Sequence, residues 1–242
     1  EMSLNASSQI DGIAKEWGFA SRSSYNRDIP AMESFSTDIG NQFTRTEKLQ
    51  TQTGNDSMKF NYNGISQFSS VRNTQASSTL DKLGFKSAGT NLNLRYQNNS
   101  ILMDSIFGVR YNLSETDPQK FGFLPEKTEK EMSLYQNDAA LGLAFLTNDV
   151  YQDVKFTNLT LDNQTEFLNQ LTGFDFKYYD KVDAITTNEN VKQIGNRVTV
   201  DVDRENNTSF ASVIYTVNVP ANSQLYVNVA GIDFCLLYTS DA

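Results

Sequence analysis

The sequence predicts an α+β protein in which an α/β sheet subdomain is followed by a β-sandwich. Strand-like and helix-like segments alternate in the first half, whereas three segments of alternating apolar and polar residues follow one another near the end. Between them, residues 117–130 contain two prolines and a charge cluster without periodicity. We therefore predict an α/β subdomain over residues 1–130 and a β-sandwich-like subdomain with one short helix over residues 131–234.

Helices are predicted in the first half where apolar residues share one helical face or where capping residues mark the ends. These segments are 8–17, 73–83 and 100–107. Asn73 is a suitable N-cap, and Gly84 and Gly108 stand where a left-handed residue ends a helix. Residues 21–40 are polar and contain Pro30, so they predict a loop with only a short helix near 31–38.

Strands are predicted between these helices, over residues 43–48, 92–96 and 109–113. In the second half we expect strands over 141–146 and 150–157, then a helix over 162–171 with Asp162 as N-cap and Gly173 as its end. The final strands, 198–203, 211–219 and 225–229, predict an antiparallel meander. One apolar face of such a meander needs a covering sheet, which indicates the β-sandwich.

Composition excludes several functional classes. The chain of 242 residues has no histidine and one cysteine, which excludes Ser-His-Asp and Cys-His catalysis, histidine metal sites and an internal disulfide. Its formal charge of −9 opposes nucleic-acid binding, so no nucleic-acid partner is expected. No run of consecutive apolar residues reaches the length of about 18 that a membrane-spanning helix needs, so no such segment is predicted in this sequence.

Acidic residues do not identify a metal site or a catalytic pair. Asp201, Asp203 and Glu205 alternate as on one strand face and have oxygen ligands for calcium, but a solvated face opposite buried valines is the favoured interpretation. No pair of carboxyl groups stands out as a glycosidase pair, and no phosphate-binding Gly-x-x-x-x-Gly-Lys run occurs. We therefore predict no metal ion and no catalytic residue in this chain.

The most informative segment is 55–73, which is dense in amides, hydroxyls and aromatic rings. Aromatic faces with neutral hydrogen-bonding groups suit polar ligands such as sugars. The alternative is a well hydrogen-bonded connection between a strand and the Asn73 helix, and the residues alone favour this alternative.

This segment and three blocks around it resemble the extracytoplasmic region of the bacterial YfhO family. The order and spacing of these four blocks carry the resemblance; the other three are Phe-Thr-Arg-Thr-Glu-Lys at 43–48, Leu-Gly-Phe at 83–85 and Asp-Ser-Ile-Phe-Gly-Val-Arg-Tyr at 104–111. The stretch Ala-Ala-Leu-Gly-Leu-Ala-Phe at 139–145 also resembles the family's entry into its second half. The resemblance is good over about residues 40–150 and looser elsewhere.

The resemblance implies a function at the cell membrane. Family members are polytopic membrane proteins of mainly Gram-positive bacteria, similar to GT-C glycosyltransferases that take a sugar from a polyprenyl-phosphate carrier outside the cytoplasm. It implies glycosylation of envelope polymers such as lipoteichoic acid, with this chain on the extracytoplasmic face. The acidic catalytic residue is expected in a membrane loop without a counterpart here, so neither catalysis nor a cofactor is assigned to this fragment.

The expected partners are the transmembrane part of the same chain and a polyprenyl-phosphate sugar or an envelope polymer. A ligand-facing set is predicted in and near the informative segment: Arg45, Glu47, Asn55, Asp56, Tyr62, Asn63 and Arg72. The two arginines would bind phosphate or carboxylate, the asparagines and Asp56 sugar hydroxyls, and Tyr62 would stack on a sugar.

Two other functions remain open from the sequence. One is a non-enzymatic extracellular carbohydrate-binding or adhesion module, and the other is a domain that only assembles a membrane complex. Residues 235–242 fit neither the family nor the preceding strand pattern and resemble adapter read-through, so we predict a non-native tail and a β-sandwich that is incomplete at its carboxyl end.

Overall fold

The computed structural model describes residues 7–11, 22–40, 43–71, 73–85, 87–88, 93–96, 99–147, 154–182, 185–186, 191–194, 197–200 and 214–227. They fall into two compact units, one extending to Phe176 and the other comprising Lys177–Val227. No helix within these ranges has both the length and the apolar character needed to cross a membrane.

The helices and strands are as follows in chain order. The helices are α1 (7–11), α2 (Arg22–Gly40), α3 (Asp56–Lys59), α4 (Thr74–Lys82), α5 (Ile101–Ile106) and α6 (Thr160–Thr172). The strands are β1 (Arg45–Lys48), β2 (Gln67–Phe68), β3 (Ser87–Ala88), β4 (Asn93–Leu94), β5 (Val109–Ser114), β6 (Phe123–Glu129), β7 (Met132–Asn137), β8 (Ile185–Thr186), β9 (Val191–Ile194), β10 (Arg197–Val200) and β11 (Tyr215–Thr216).

The first unit is built on a four-stranded mixed sheet with the order β1-β5-β7-β6. β1 runs parallel to β5, whereas β5, β7 and β6 pair antiparallel. A smaller antiparallel sheet has the order β2-β4-β3. The chain is therefore mixed α and β, as the sequence predicts.

Helix α2 covers the main sheet. Its buried apolar residues follow helical spacing and pack against the sheet; they are Ala31, Met32, Phe35 and Ile39, which cluster with Tyr62, Tyr111, Leu113, Met132 and Leu134. The short helix predicted near 31–38 is therefore confirmed, but the loop predicted for the rest of 21–40 is wrong, since the helix extends from Arg22 through Pro30 to Gly40. Burial of one apolar face against the sheet outweighs the low helix propensity of proline and its missing amide donor.

Several predicted helix ends are confirmed. The Asn73 side chain accepts a hydrogen bond from the Ala76 amide, and Gly84, Gly108 and Gly173 all have positive φ angles. Helix α6, however, begins at Thr160 with Leu159 as its N-cap residue, which places the predicted cap Asp162 inside the first turn.

The second half differs most from the sequence-based expectations. Residues 123–129 form β6 rather than a loop, and described residues 141–147 and 154–157 contain no strand. In the second unit, β9 pairs with β10 and β8 with β11, each pair antiparallel. The described residues thus form two two-stranded ladders, and the predicted β-sandwich is not confirmed.

The predicted division of the chain at residue 130 stays a prediction. In the structure Lys130 lies in the turn between β6 and β7. Along the chain, the boundary between the two compact units follows Phe176. The acidic residues Asp201, Asp203 and Glu205, predicted as a solvated strand face, and the predicted tail at 235–242 lie outside the described residues.

Candidate functional site

A cavity of about 460 Å³ opens at the carboxyl ends of β1 and β5. Because these two strands are parallel, their carboxyl ends meet at the same edge of the sheet. Ser66, just before β2, and Arg95 and Tyr96, just after β4, complete the wall. The lining residues are Leu49, Gln50, Thr51, Thr53, Gly54, Ser66, Arg95, Tyr96, Ser114, Thr116 and Pro118.

The described residues of the wall are uncharged apart from one cation, and most of them have a polar side chain. Hydroxyl and amide side chains predominate, Arg95 is the one basic residue, and none of the described lining residues is acidic. This differs from the chain as a whole, which has 29 acidic and 20 basic residues. The cavity therefore offers hydrogen bonds and one positive charge within an acidic protein.

Gln50 connects the ends of the two parallel strands. Its Nε2 donates to Ser114 Oγ at 3.1 Å, and its Oε1 accepts from the Glu115 amide at 3.0 Å. These contacts hold the side chain in one position before any ligand arrives, which lowers the entropy that binding would cost.

Asp56 organises the loop that carries Thr53. Its Oδ1 accepts from the Thr53 amide and the Thr53 hydroxyl, both at 2.7 Å, and its Oδ2 accepts from the Gln52 amide at 2.7 Å. The carboxylate is buried beneath the loop with its oxygens occupied. Asp56 therefore shapes the cavity wall and does not face the cavity.

The Glu47 carboxylate in β1 fixes the wall residue Ser66 through hydrogen bonds. The fully buried carboxylate accepts from the amides of Ile65 and Ser66 and from the Ser66 hydroxyl, the last at 2.8 Å. A Cβ at Gly64 would lie 3.0 Å from Ser57 Cβ and 3.3 Å from Glu47 Oε1, so the absent side chain lets the turn approach the carboxylate. Burial raises the pKa of Glu47 to about 7, although these hydrogen bonds act in the opposite direction.

A buried charge pair supports Tyr96 from behind. Lys120 Nζ forms an ion pair with the Asp104 carboxylate and donates a hydrogen bond to the Tyr96 hydroxyl. Burial raises the pKa of Asp104 to about 6, against the effect of Lys120, and burial lowers the pKa of Lys120. The Tyr96 amide also donates to Ser66 Oγ at 3.0 Å, which links this pair to the Glu47 network.

This geometry suits binding of a hydroxylated ligand. Glu47 and Asp104 are completely buried and do not line the cavity, so the described wall contains no carboxyl pair for general acid–base chemistry. Within the described ranges, no group of three or more His, Cys, Asp or Glu side chains is placed to hold a metal ion.

None of the described residues of the predicted ligand-facing set lines this cavity. Tyr62 belongs to the core with 9% of its surface exposed. Arg45 lies at the opposite end of β1, where its guanidinium donates to the Phe107 carbonyl; burial lowers the pKa of Arg45, and Glu47 opposes that shift. Glu47 and Asp56 support the wall from beneath.

The remaining predicted residues have other positions. Asn55 Oδ1 accepts from the Phe68 amide at 2.8 Å. The Asn63 carbonyl accepts from the Thr46 amide at 2.7 Å, and its side chain is exposed. Arg72 lies outside the described residues. Ligand binding by this set stays a prediction.

Sequence reasoning did not identify the residues that line the cavity. They come from four segments distant in sequence, which only the parallel pairing of β1 with β5 and the small β2-β4-β3 sheet bring together. The available signal was the pair of predicted strands 43–48 and 109–113, whose carboxyl ends lead into Gln50 and Ser114.

The fold and the cavity define a mixed α/β unit with the features of a polar-ligand binding domain. The chain belongs to the YfhO family: the family model described as bacterial membrane protein YfhO matches residues 1–240. No curated protein matches the chain, and no solved structure matches it. Membership confirms the family resemblance, supports membrane association and suggests a glycosylation-related role at the membrane.

Proposed function

We propose that this chain is the extracytoplasmic domain of a polytopic, GT-C-like membrane protein that acts in glycosylation of envelope polymers such as lipoteichoic acid in Gram-positive bacteria. The sugar comes from a polyprenyl-phosphate carrier, and the catalytic residues lie in the transmembrane part of the same protein. The cavity at the carboxyl ends of β1 and β5 binds the hydroxylated part of the acceptor. Family membership and the neutral hydrogen-bonding wall support this proposal.

The observation that carries the proposal is the chemistry of the wall. Sugar and polyol hydroxyls both donate and accept hydrogen bonds, and the threonine, serine and glutamine side chains of the wall do the same. The volume of about 460 Å³ falls within the range of about 300–1,000 Å³ that is typical of small-molecule sites. The wall without carboxylates favours binding here and chemistry elsewhere in the protein.

Removal of two wall hydroxyls tests this function. Thr51 and Thr116 are both exposed and line the cavity, and valine preserves their shape. At about 1 kcal/mol for each lost hydrogen bond, the Thr51→Val/Thr116→Val variant should bind the acceptor about 30-fold more weakly. A strain that carries this variant in the full-length protein should therefore show a severalfold lower glycan content of lipoteichoic acid, measured by NMR of the purified polymer.

The control is Thr74→Val in helix α4, which removes an exposed threonine hydroxyl outside the cavity and should leave the glycan content unchanged. Equal membrane levels of all three proteins must be shown by immunoblot. Normal glycan content in the double variant would contradict acceptor binding in the cavity. Normal glycan content after complete gene deletion would contradict the transferase role and favour the non-enzymatic carbohydrate-binding module.

A further inference from the structure

Arg95 is the one basic residue of the described cavity wall, and its surroundings differ from those of the cations that pair inside the first unit. Arg27 and Lys48 form ion pairs with Asp28, and Lys120 forms one with Asp104. The Arg45 guanidinium donates a hydrogen bond to a backbone carbonyl. Arg95 is exposed, follows β4 and lines the cavity, and no described residue forms an ion pair with it. Among the described residues, no carboxylate therefore competes with a ligand for the Arg95 guanidinium.

The acidic residues next to the wall segments are engaged elsewhere. Asp56 accepts three hydrogen bonds from its own loop. Glu115, between Ser114 and Thr116, pairs with Arg27 at 2.7 Å, and Asp117 accepts from the Gln119 amide at 2.8 Å. An anion in the cavity would therefore meet a guanidinium and hydroxyl groups, with no carboxylate in the described wall to repel it.

We propose that the cavity binds a hydroxylated anion. Arg95 binds its phosphate or carboxylate group, and the part of the wall formed by Gln50, Thr51 and Thr116 forms hydrogen bonds with its hydroxyl groups. This inference rests on the proposed function, since it specifies the class of ligand for the same cavity. A planar guanidinium binds phosphate and carboxylate through two parallel hydrogen bonds, which a neutral wall alone does not provide.

A phosphate group has two possible sources at the membrane, a polyol-phosphate polymer and a polyprenyl-phosphate carrier. Leu49 and Pro118 are the two aliphatic or proline side chains of the described wall, and most of the rest is polar. A cavity of about 460 Å³ has room for a polyol phosphate unit, whereas a long isoprenoid chain would extend outside it. The size of the cavity therefore favours the soluble polyol phosphate.

The test measures binding to the intact membrane protein in nanodiscs by isothermal titration calorimetry. The probes are glycerol 1-phosphate, glycerol and a short-chain polyprenyl phosphate. We expect glycerol 1-phosphate to bind at least tenfold more tightly than glycerol, and Arg95→Gln to remove this difference. Arg95→Lys should retain part of it, because the ammonium keeps the charge but not the paired hydrogen bonds.

Arg22→Gln is the matched control, since Arg22 is an exposed arginine at the start of α2 outside the cavity wall. It should bind glycerol 1-phosphate as the wild type does, and circular dichroism should show that both glutamine variants are folded. Equal affinities for glycerol 1-phosphate and glycerol, or unchanged binding by Arg95→Gln, would overturn the inference. Tighter Arg95-dependent binding of polyprenyl phosphate would overturn the assignment to the soluble source.

The two proposals fail separately. If Arg95→Gln abolishes binding of glycerol 1-phosphate in vitro but the strain keeps its normal envelope glycan content, the anion site stands and the proposed role in glycosylation fails. If binding is unaffected while the Thr51→Val/Thr116→Val strain loses glycan, the role stands and the inference about Arg95 fails.

Discussion

Glu47→Gln should stabilise the protein at alkaline pH, because Glu47 is a fully buried carboxyl group in β1. Burial raises its pKa from 4.5 to about 7. The folded state therefore binds this proton more tightly than the unfolded state does. The contribution of Glu47 to stability is fully present below pH 4.5 and is lost as the pH rises through about 7.

The size of the effect follows from the change in pKa. At about 1.4 kcal/mol for each pH unit, the rise from 4.5 to about 7 corresponds to about 3 kcal/mol. Glutamine stays neutral at every pH, and its oxygen can accept from the Ile65 and Ser66 amides while its amino group donates to Ser66 Oγ. The variant should exceed the free energy of unfolding of the wild type by no more than about 1 kcal/mol at pH 5 and by about 3 kcal/mol at pH 8.

Equilibrium urea unfolding at pH 5 and pH 8, followed by far-UV circular dichroism, measures this difference. Glu126→Gln is the control, because Glu126 is an exposed residue of β6 and its substitution should leave the difference between the two pH values unchanged. The reasoning is refuted if Glu47→Gln and the wild type lose the same free energy between pH 5 and pH 8, or if the variant is less stable at pH 8.

Three further substitutions test the support of the cavity and the helix ends. Lys120→Met leaves the Asp104 carboxylate buried without its cation and should lower the free energy of unfolding in urea by about 3–5 kcal/mol at pH 8. The loss should be smaller at pH 5, because Asp104, whose pKa is raised to about 6, binds a proton there. Equal losses at the two pH values would contradict this prediction. Gly108→Ala places a Cβ 2.9 Å from a backbone carbonyl at a φ of 68° and should lower the unfolding free energy by about 1–3 kcal/mol, measured by calorimetry. Gln164→Leu removes the donor to the Leu83 carbonyl at 2.9 Å and should cost about 1–3 kcal/mol, with faster amide exchange in α6; unchanged exchange would count against it.

Local signals predicted the ends of helices better than their packing. Asn73 and Gly173 were identified correctly because capping and left-handed backbone depend on a few neighbouring residues. Helix α2 is predicted too short, as 31–38 only, because the polar composition around Pro30 masked the apolar residues that recur at helical spacing. Their contribution appears only when the sheet that they cover is present.

The roles of the candidate residues were harder to predict for a related reason. Glu47, Asp56 and Tyr62 lie in a segment rich in polar and aromatic groups, which is equally typical of a ligand surface and of an internally hydrogen-bonded connection. In the structure all three side chains are buried, as in an internally hydrogen-bonded connection and not as in a ligand surface. Exposure decides between these alternatives, and it depends on residues distant in the chain.

The sequence by itself determined the family, the acidic composition, the mixed α and β character and several helix ends, since each depends on residue identity or on short-range order. The tertiary structure alone decided that β1 pairs in parallel with β5, residues more than 60 positions away. That pairing brings Gln50 beside Ser114 and, together with the β2-β4-β3 sheet, places Arg95 in the same wall. Local periodicity carries no information about which distant strand becomes the neighbour, so the cavity exists only in the folded chain.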